Sequence, residues 1–466
     1  MDLLAEAPSL VILAATCISA VLWGSSILSG AVAGLISLGI SSVVCAKWDR
    51  GRLVVALSVA LLSLSISWWC SARMGMVSPP LGMASGEVVL ERSWGKRVAM
   101  VIKGDQGAVV AKVSPERSFL EGTKLEWTGR IEPLMEPRDG NPFDERLYWL
   151  ARGVTGVLVP KEMVYRGDGG GIHYLRSVLR ERIQSSLPPL TRGYLLAALL
   201  GDRDPELVEP HSRWGTAHLL AVSGFHVGLV ALLAWAFPWR GRWKWIIVSA
   251  FMWMYVLLAG AAASALRAAL MVQVALWGLA FGRRSSVVNS VAVASLALLM
   301  YRPWWFWDLG WRLSVVSALA ISALMTVKVK RRWITVLCAS PLLWTVTAPM
   351  ISGAFKTVPL AGAVLNTVAL PAFSVLLPLA VLFSLPSLMG LPGGGLVAVV
   401  PEGAFALWGY GASMVEGLPV LRWSPWMVTL SCVSLGAILS IRFRVSPVRA
   451  GVLALILALF VAYFYN

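Results

Sequence analysis

Charge is scarce in this sequence. Only 14% of its 466 residues are Asp, Glu, Lys or Arg, against 58% apolar residues, which excludes an ordinary soluble globular protein and predicts a polytopic membrane protein. Acidic residues are the scarcer sign, 24 against 40 basic, giving a net charge of +16. That excess is weak evidence for nucleic-acid binding, because much of it sits in short loops between apolar runs: Lys47 to Arg52, Arg240 to Lys244, Arg283 and Arg284, Lys328 to Arg332, and Arg442 to Arg449. Basic loops recurring between apolar runs mark the cytoplasmic side of a membrane protein. Cysteine is also sparse. Cys17, Cys45, Cys70, Cys338 and Cys432 all lie in or beside apolar runs, so neither a disulfide framework nor a thiolate metal site is expected. The histidines are His173, His211, His218 and His226, and they form no His-Glu-x-x-His or His-x-His-x-Asp-His cluster. The N-terminus lacks a basic leader and a clear cleavage site, so the first apolar run is expected to be a retained helix.

What is present divides the chain. Apolar runs at 9–23, 27–46 and 52–70 predict N-terminal membrane helices over 1–70. Residues 71–165 change to period-two alternation, with strand-like stretches at Glu87 to Glu91, Arg97 to Ile102, Ala108 to Val113 and Lys124 to Ile131 separated by glycine turns. This is the pattern of a small β-barrel of the OB type or another small β-domain. Trp94, Trp127, Tyr148 and Trp149 there could stack on bases or fill a core. A linker region over 166–215 holds a basic amphipathic segment, Tyr174 to Leu187, and a short apolar stretch ending at Gly201-Asp-Arg203 that is too short to span. From 216 to 466 apolar runs recur, at about 243–262, 263–281, 287–301, 312–327, 333–352, 357–388, 395–414, 426–441 and 450–465. The fold class expected is an all-α polytopic membrane protein of about 11–13 transmembrane or re-entrant helices, carrying one small extracytoplasmic OB-like barrel.

Polar groups inside apolar runs are the functional pointers. His218-Leu-Leu-Ala-Val-Ser223-Gly224-Phe-His226-Val-Gly228 places two imidazoles, a hydroxyl and glycines where hydrocarbon would not solvate them. Arg267, Asp308, Arg312 and Asn366 join them. On an unbroken helix His218 and His226 would stand about 80° apart, a poor chelate. Ser223 lacks the strand-turn-helix setting of a nucleophile elbow. Two readings stay open for the histidines: bonding inside a packed bundle, or lining a wet conduit. No catalytic residue and no metal ligand is expected.

Gly201-Asp-Arg203 followed by His218 to Val227 resembles the signature of the ComEC competence family, whose members form the inner-membrane channel for DNA uptake in competent bacteria. Phe225 stands where the family usually has leucine. Softer matches are Ser264-Ala-Leu-Arg267, Asp308 to Ser314, Asn366 to Pro371, and Asn141 to Gly153, which looks like the end of the family's OB domain. Many members also carry a C-terminal metallo-β-lactamase-like domain. Its motif is missing here, so neither hydrolase activity nor a cofactor is expected. The family's proposed OB-domain disulfide has no cysteines to form it. The resemblance implies a multi-pass protein of the bacterial inner membrane with the OB-like domain on the outer side. Its expected partners are single-stranded DNA and membrane lipid, with a separate nuclease, DNA receptor and cytoplasmic helicase as candidates. His218, Ser223, Gly224, His226, Arg267, Asn366, Asp308 and Arg312 would line the DNA path, and Asp202, Arg203, Arg176, Arg180 and Arg182 its mouth. The alternatives are a transporter or flippase for another polyanionic or lipid-linked substrate, and a membrane-embedded metal-dependent hydrolase.

Overall fold

A computed structural model of the chain describes residues 85–104, 107–135, 144–241, 243–282, 286–325 and 332–422. The helices expected over 1–70 and the runs beyond 425 lie outside the described residues.

Five strands close into a barrel: β1 (Ser85–Trp94), β2 (Arg97–Gly104), β3 (Gly107–Val113), β4 (Thr123–Pro133) and β5 (Val154–Asp168), in the order β1-β2-β3-β5-β4. β3 and β5 pair in parallel, and the other neighbours are antiparallel. Met100, Ile102, Val109, Ala111, Leu125, Trp127 and Leu158 fill the interior. The continuous apolar run Val98 to Ile102 is explained by its second face. Ala99, Val101 and Val110 pack under Trp149 of helix α1 (Glu145–Ala151), so both faces of β2 are covered. Asp144 caps α1 by accepting from the Leu147 amide at 2.9 Å. β5 is the strand that the alternation did not reveal. Its Pro160, Lys161, Glu162, Arg166 and Gly167 mask the period, because much of its length faces solvent.

The helical part follows. Helix α2 (Ile172–Ser186) leads into α3 (Pro189–Leu195), a π-helical turn (Leu196–Leu200) and α4 (Pro205–Arg213). Beyond a 3-10 turn (Ala217–Leu220) come α5 (Gly224–Ala236), α6 (Trp243–Leu258), α7 (Ala263–Ala280), α8 (Val287–Tyr301), a second 3-10 turn (Pro303–Trp307), α9 (Leu309–Leu324), α10 (Arg332–Phe355), α11 (Ala361–Leu388), the one-turn α12 (Gly394–Val397) and α13 (Val399–Ser413). A short ribbon, β6 (Thr357–Pro359) with β7 (Val420–Arg422), ties the start of α11 to the segment after α13. Among the described residues Ala263–Ala280, Leu337–Phe355 and Ala361–Leu388 are long and apolar enough to cross a membrane, and four shorter apolar helices accompany them. The chain is a membrane protein with a small β-barrel domain.

The aromatic run Pro303 to Trp311, whose composition suggests an interfacial belt, contributes rings to the protein's own core. Trp305, Phe306 and Trp311 are buried in a core that also takes in Ala151 of α1. Those rings seat the barrel domain on the bundle.

Candidate functional site

The His218 to Gly228 stretch is not one helix. His218 lies in the 3-10 turn, Ala221 and Ser223 are extended, and α5 starts at Gly224 with Ser223 as its N-cap. His226, at the third helical position, folds back onto that cap. The Ser223 amide donates to His226 Nδ1 at 3.4 Å, and Ser223 Oγ lies 3.2 Å from the same nitrogen. An amide can only donate, so Nδ1 accepts and the ring proton of the neutral imidazole sits on Nε2. The residue is 3% exposed, and Nε2 has no partner among the described residues. His218 is exposed, although Leu219 and Leu220 beside it are buried, and it lies within electrostatic range of both His226 and His211. His211 is fully buried and bonded at both nitrogens, to Tyr194 Oη and to Thr216 Oγ1, each at 2.8 Å. The bundle thus holds one histidine as core, one as a cap with a spare donor and one exposed in the 3-10 turn. Among the described residues no set of three His, Cys, Asp or Glu side chains converges as metal ligands.

A track of polar groups continues from this break. Ser264 Oγ donates to the Val222 carbonyl at 2.9 Å, and Gly224 lies beside Ala268 of α7. One turn on from Ser264, Arg267 is 1% exposed. Its Nη1 donates to the Trp311 carbonyl at 2.8 Å, its Nη2 reaches the Ser264 carbonyl at 3.5 Å, and its Nε has no partner among the described residues. The charge facing it is Asp308, whose carboxylate caps α9 by accepting from the Trp311 amide at 2.9 Å. Arg312, a turn further along α9, donates to the Trp307 carbonyl at 3.3 Å and keeps a buried Nε without a partner among the described residues. Asn366 stands apart from this line. Its Nδ2 donates to the Gly215 carbonyl at 3.4 Å, one turn from Gly362, where the two backbones cross so closely that a Cβ on Gly215 would lie 2.8 Å from Gly362 Cα.

The expected mouth residues divide into two groups. Glu121, 1% exposed at its side chain, accepts from Arg176 Nε at 2.7 Å and Arg180 Nη2 at 3.0 Å and bonds His173 Nδ1 at 2.9 Å. Arg176 also donates to the Leu258 and Leu200 carbonyls, and Arg180 Nε binds Asp202 at 2.6 Å. Burial pushes the Glu121 carboxyl up, but the His173 hydrogen bond and the two guanidiniums outweigh it and hold the group below its ordinary value. Arg176, Arg180 and Asp202 therefore clasp the barrel to the bundle. Arg182 is exposed and donates to the Leu388 carbonyl at 3.2 Å. Arg203 is exposed at the junction, in electrostatic contact with Arg92 and Tyr148.

A model of the Competence protein family matches residues 199–463, more than half of the chain. The chain belongs to the Competence protein family. It is 30% identical over 199 residues to ComE operon protein 3 of Bacillus subtilis (strain 168), covering 39% of this chain and 25% of that protein. It is 26% identical over 401 residues to Competence protein ComA of Neisseria gonorrhoeae, covering 74% of this chain and 53% of that one. The chain spans about half, or less, of the length of these relatives. No solved structure matches.

Within this Competence family chain the matched span takes in Asp202, Arg203, the His218 to His226 break, Arg267, Asp308, Arg312 and Asn366, while Arg176, Arg180 and Arg182 precede it. Sequence reasoning missed four groups. Glu121 sits in an ordinary turn, and only its buried position gives it weight. Glu402 of α13 reaches α3, accepting from the Leu190 amide at 3.0 Å and from the Thr191 amide and hydroxyl at 2.8 and 2.9 Å. Its signal was available, as an acidic residue isolated within an apolar run. Arg92 and Arg152 belong to the barrel domain and meet Arg203 only through folding.

Proposed function

We propose that this chain is the inner-membrane conduit for single-stranded DNA in natural transformation, with the barrel on the outer side receiving the strand. Membership of the Competence family supports a role in that process. The observation that carries the reading is the line of polar groups inside apolar helices, from Asp308 through Arg267 and Ser264 to the broken helix at Ser223 and His226. Buried donors on Arg267, Arg312 and His226, unpartnered among the described residues, lie along it, and groups of this kind are costly in a membrane unless they meet water or a polar ligand. Passage requires no covalent step. Guanidiniums replace counterions at the phosphates, and the strand moves along donors that can be exchanged one for the next. The basic loops after alternate crossings support the outward placement of the barrel.

Complementation of a deletion strain tests this. The wild-type chain restores transformation, whereas Arg267→Ala, present in the membrane at the same level, leaves it at the deletion background. Full restoration by Arg267→Ala would remove the conduit assignment.

A further inference from the structure

At the junction of barrel and bundle, two arginines contact one tyrosine and a third lies within electrostatic range of it. Arg92 of β1 donates from Nη1 to Tyr148 Oη at 3.0 Å, and its Nη2 lies 3.5 Å from the Gly201 carbonyl. Arg152 lies over the Tyr148 ring with its Cζ 3.5 Å from the centroid, and its Nη1 donates to the Tyr148 carbonyl at 3.0 Å. Arg203 follows Gly201-Asp202 and interacts electrostatically with Arg92, Arg152 and Tyr148. The three come from β1, the end of α1 and the turn after the π-helical segment, so only the docked fold assembles them. Arg92 and Arg152 are half-buried and Arg203 is exposed, so donors remain open to solvent. Among the described residues no carboxylate lies within ion-pair distance of any of the three, unlike Arg176 and Arg180 nearby, which Glu121 and Asp202 neutralise. The acid that acts on Arg152 is Asp308, at longer range and shared with Arg267.

Three like charges held together in partly desolvated surroundings repel one another, and their placement costs stability unless an anion completes it. Burial holds the Arg152 proton less tightly than usual; Tyr148 and Asp308 oppose it, and weaker repulsion from Arg92 and Arg203 adds to it. Guanidinium groups brought near one another from separate elements suit contact with phosphate oxygens, which a planar fork can grip in bidentate fashion.

We propose that Arg92, Arg152 and Arg203 form a phosphate-binding cluster that takes the backbone of the incoming single strand at the barrel–bundle junction and passes it toward Asp308 and Arg267. The proposal rests on the conduit reading above and adds the residues that first grip the strand. They differ from the clasp arginines of α2, whose charges are neutralised within the protein.

The test uses the full chain in nanodiscs of zwitterionic lipid, so that no anionic headgroup competes. Binding of a labelled single-stranded oligothymidylate is measured across a salt series, with inorganic polyphosphate as a second labelled probe. Arg203→Ala, exposed and therefore least disruptive to folding, is the first variant. Arg92→Gln is the second, and thermal unfolding checks that both remain folded. Wild type should bind both probes with salt-dependent affinity. Each variant should flatten the slope of log K against log salt by about 0.7 for every phosphate it no longer neutralises, and Arg203→Lys should restore it. Wild-type slopes in both variants would overturn the cluster while leaving the conduit reading intact. Binding of polyphosphate but not of the oligonucleotide, with the variant effect present, would keep the phosphate site and remove the nucleic-acid reading. Binding of neither probe by the wild type would overturn both.

Discussion

The two nitrogens of His226 have different surroundings. Nδ1 accepts from the Ser223 amide and holds the start of α5, while Nε2 carries a buried donor with no partner among the described residues. Replacing His226 by Asn keeps a side-chain oxygen able to accept at the cap but removes the distal donor. Replacing it by Ala removes both. His226→Ala is expected to lose about 0.5–2 kcal/mol of stability through the cap, and His226→Asn only a small part of that. DNA uptake should fall alike in both. Thermal unfolding beside transformation frequency separates the two effects, and normal uptake in His226→Asn would reduce the residue to a cap. The histidine motif stood out in the sequence because hydrocarbon does not solvate imidazoles, so their presence in an apolar run implies a polar lining or a bonded core. The division of labour among His211, His218 and His226 was not legible, since spacing alone does not place a break between Leu220 and Gly224.

Among the elements, the interactions that set the site's frame are backbone approaches and caps from distant segments. Gly215, at φ +69°, crosses Gly362 at the start of α11, and Asn366 bonds the Gly215 carbonyl from the next turn. Gly215→Ala meets both a left-handed backbone and the Gly362 Cα, so it should displace the segment leading to His218 and reduce folded protein. Gly228→Ala, where a Cβ would meet nothing within 4 Å, should be tolerated. Fluorescence-detected size-exclusion of the two variants distinguishes them. Glu402→Ala removes the acceptor for two α3 amides and a hydroxyl, a loss of about 1–3 kcal/mol visible as a lower unfolding temperature. The apolar runs from 243 to 414 predicted the helices closely, because length and hydropathy alone fix a membrane helix. β5 and Glu402 were harder to read, since an exposed strand loses its alternation and a capping acid signals nothing about which distant helix it caps.

For the molecule as a whole, the barrel is joined to the bundle by an aromatic seat and an ion-pair clasp on Glu121. Removing the carboxylate leaves two guanidiniums facing a closed site, and Glu121→Ala should cost about 3–5 kcal/mol. The clasp is also sensitive to acid. The folded-state pKa of Glu121 lies below its ordinary 4.5, so its contribution is complete above that value and is lost as pH falls through the lower folded value. Unfolding temperatures measured from about pH 7 down to about pH 3 should fall more steeply below 4.5 in the wild type than in Glu121→Gln. The most direct test of the conduit is photo-cross-linking during uptake, with the reactive amino acid at exposed His218 in one protein and at Leu232, 62% exposed on α5, in another. A conduit that passes His218 traps incoming single-stranded DNA at position 218 and not at 232. Uptake proceeding with no DNA trapped at 218, or with equal trapping at both positions, would contradict it.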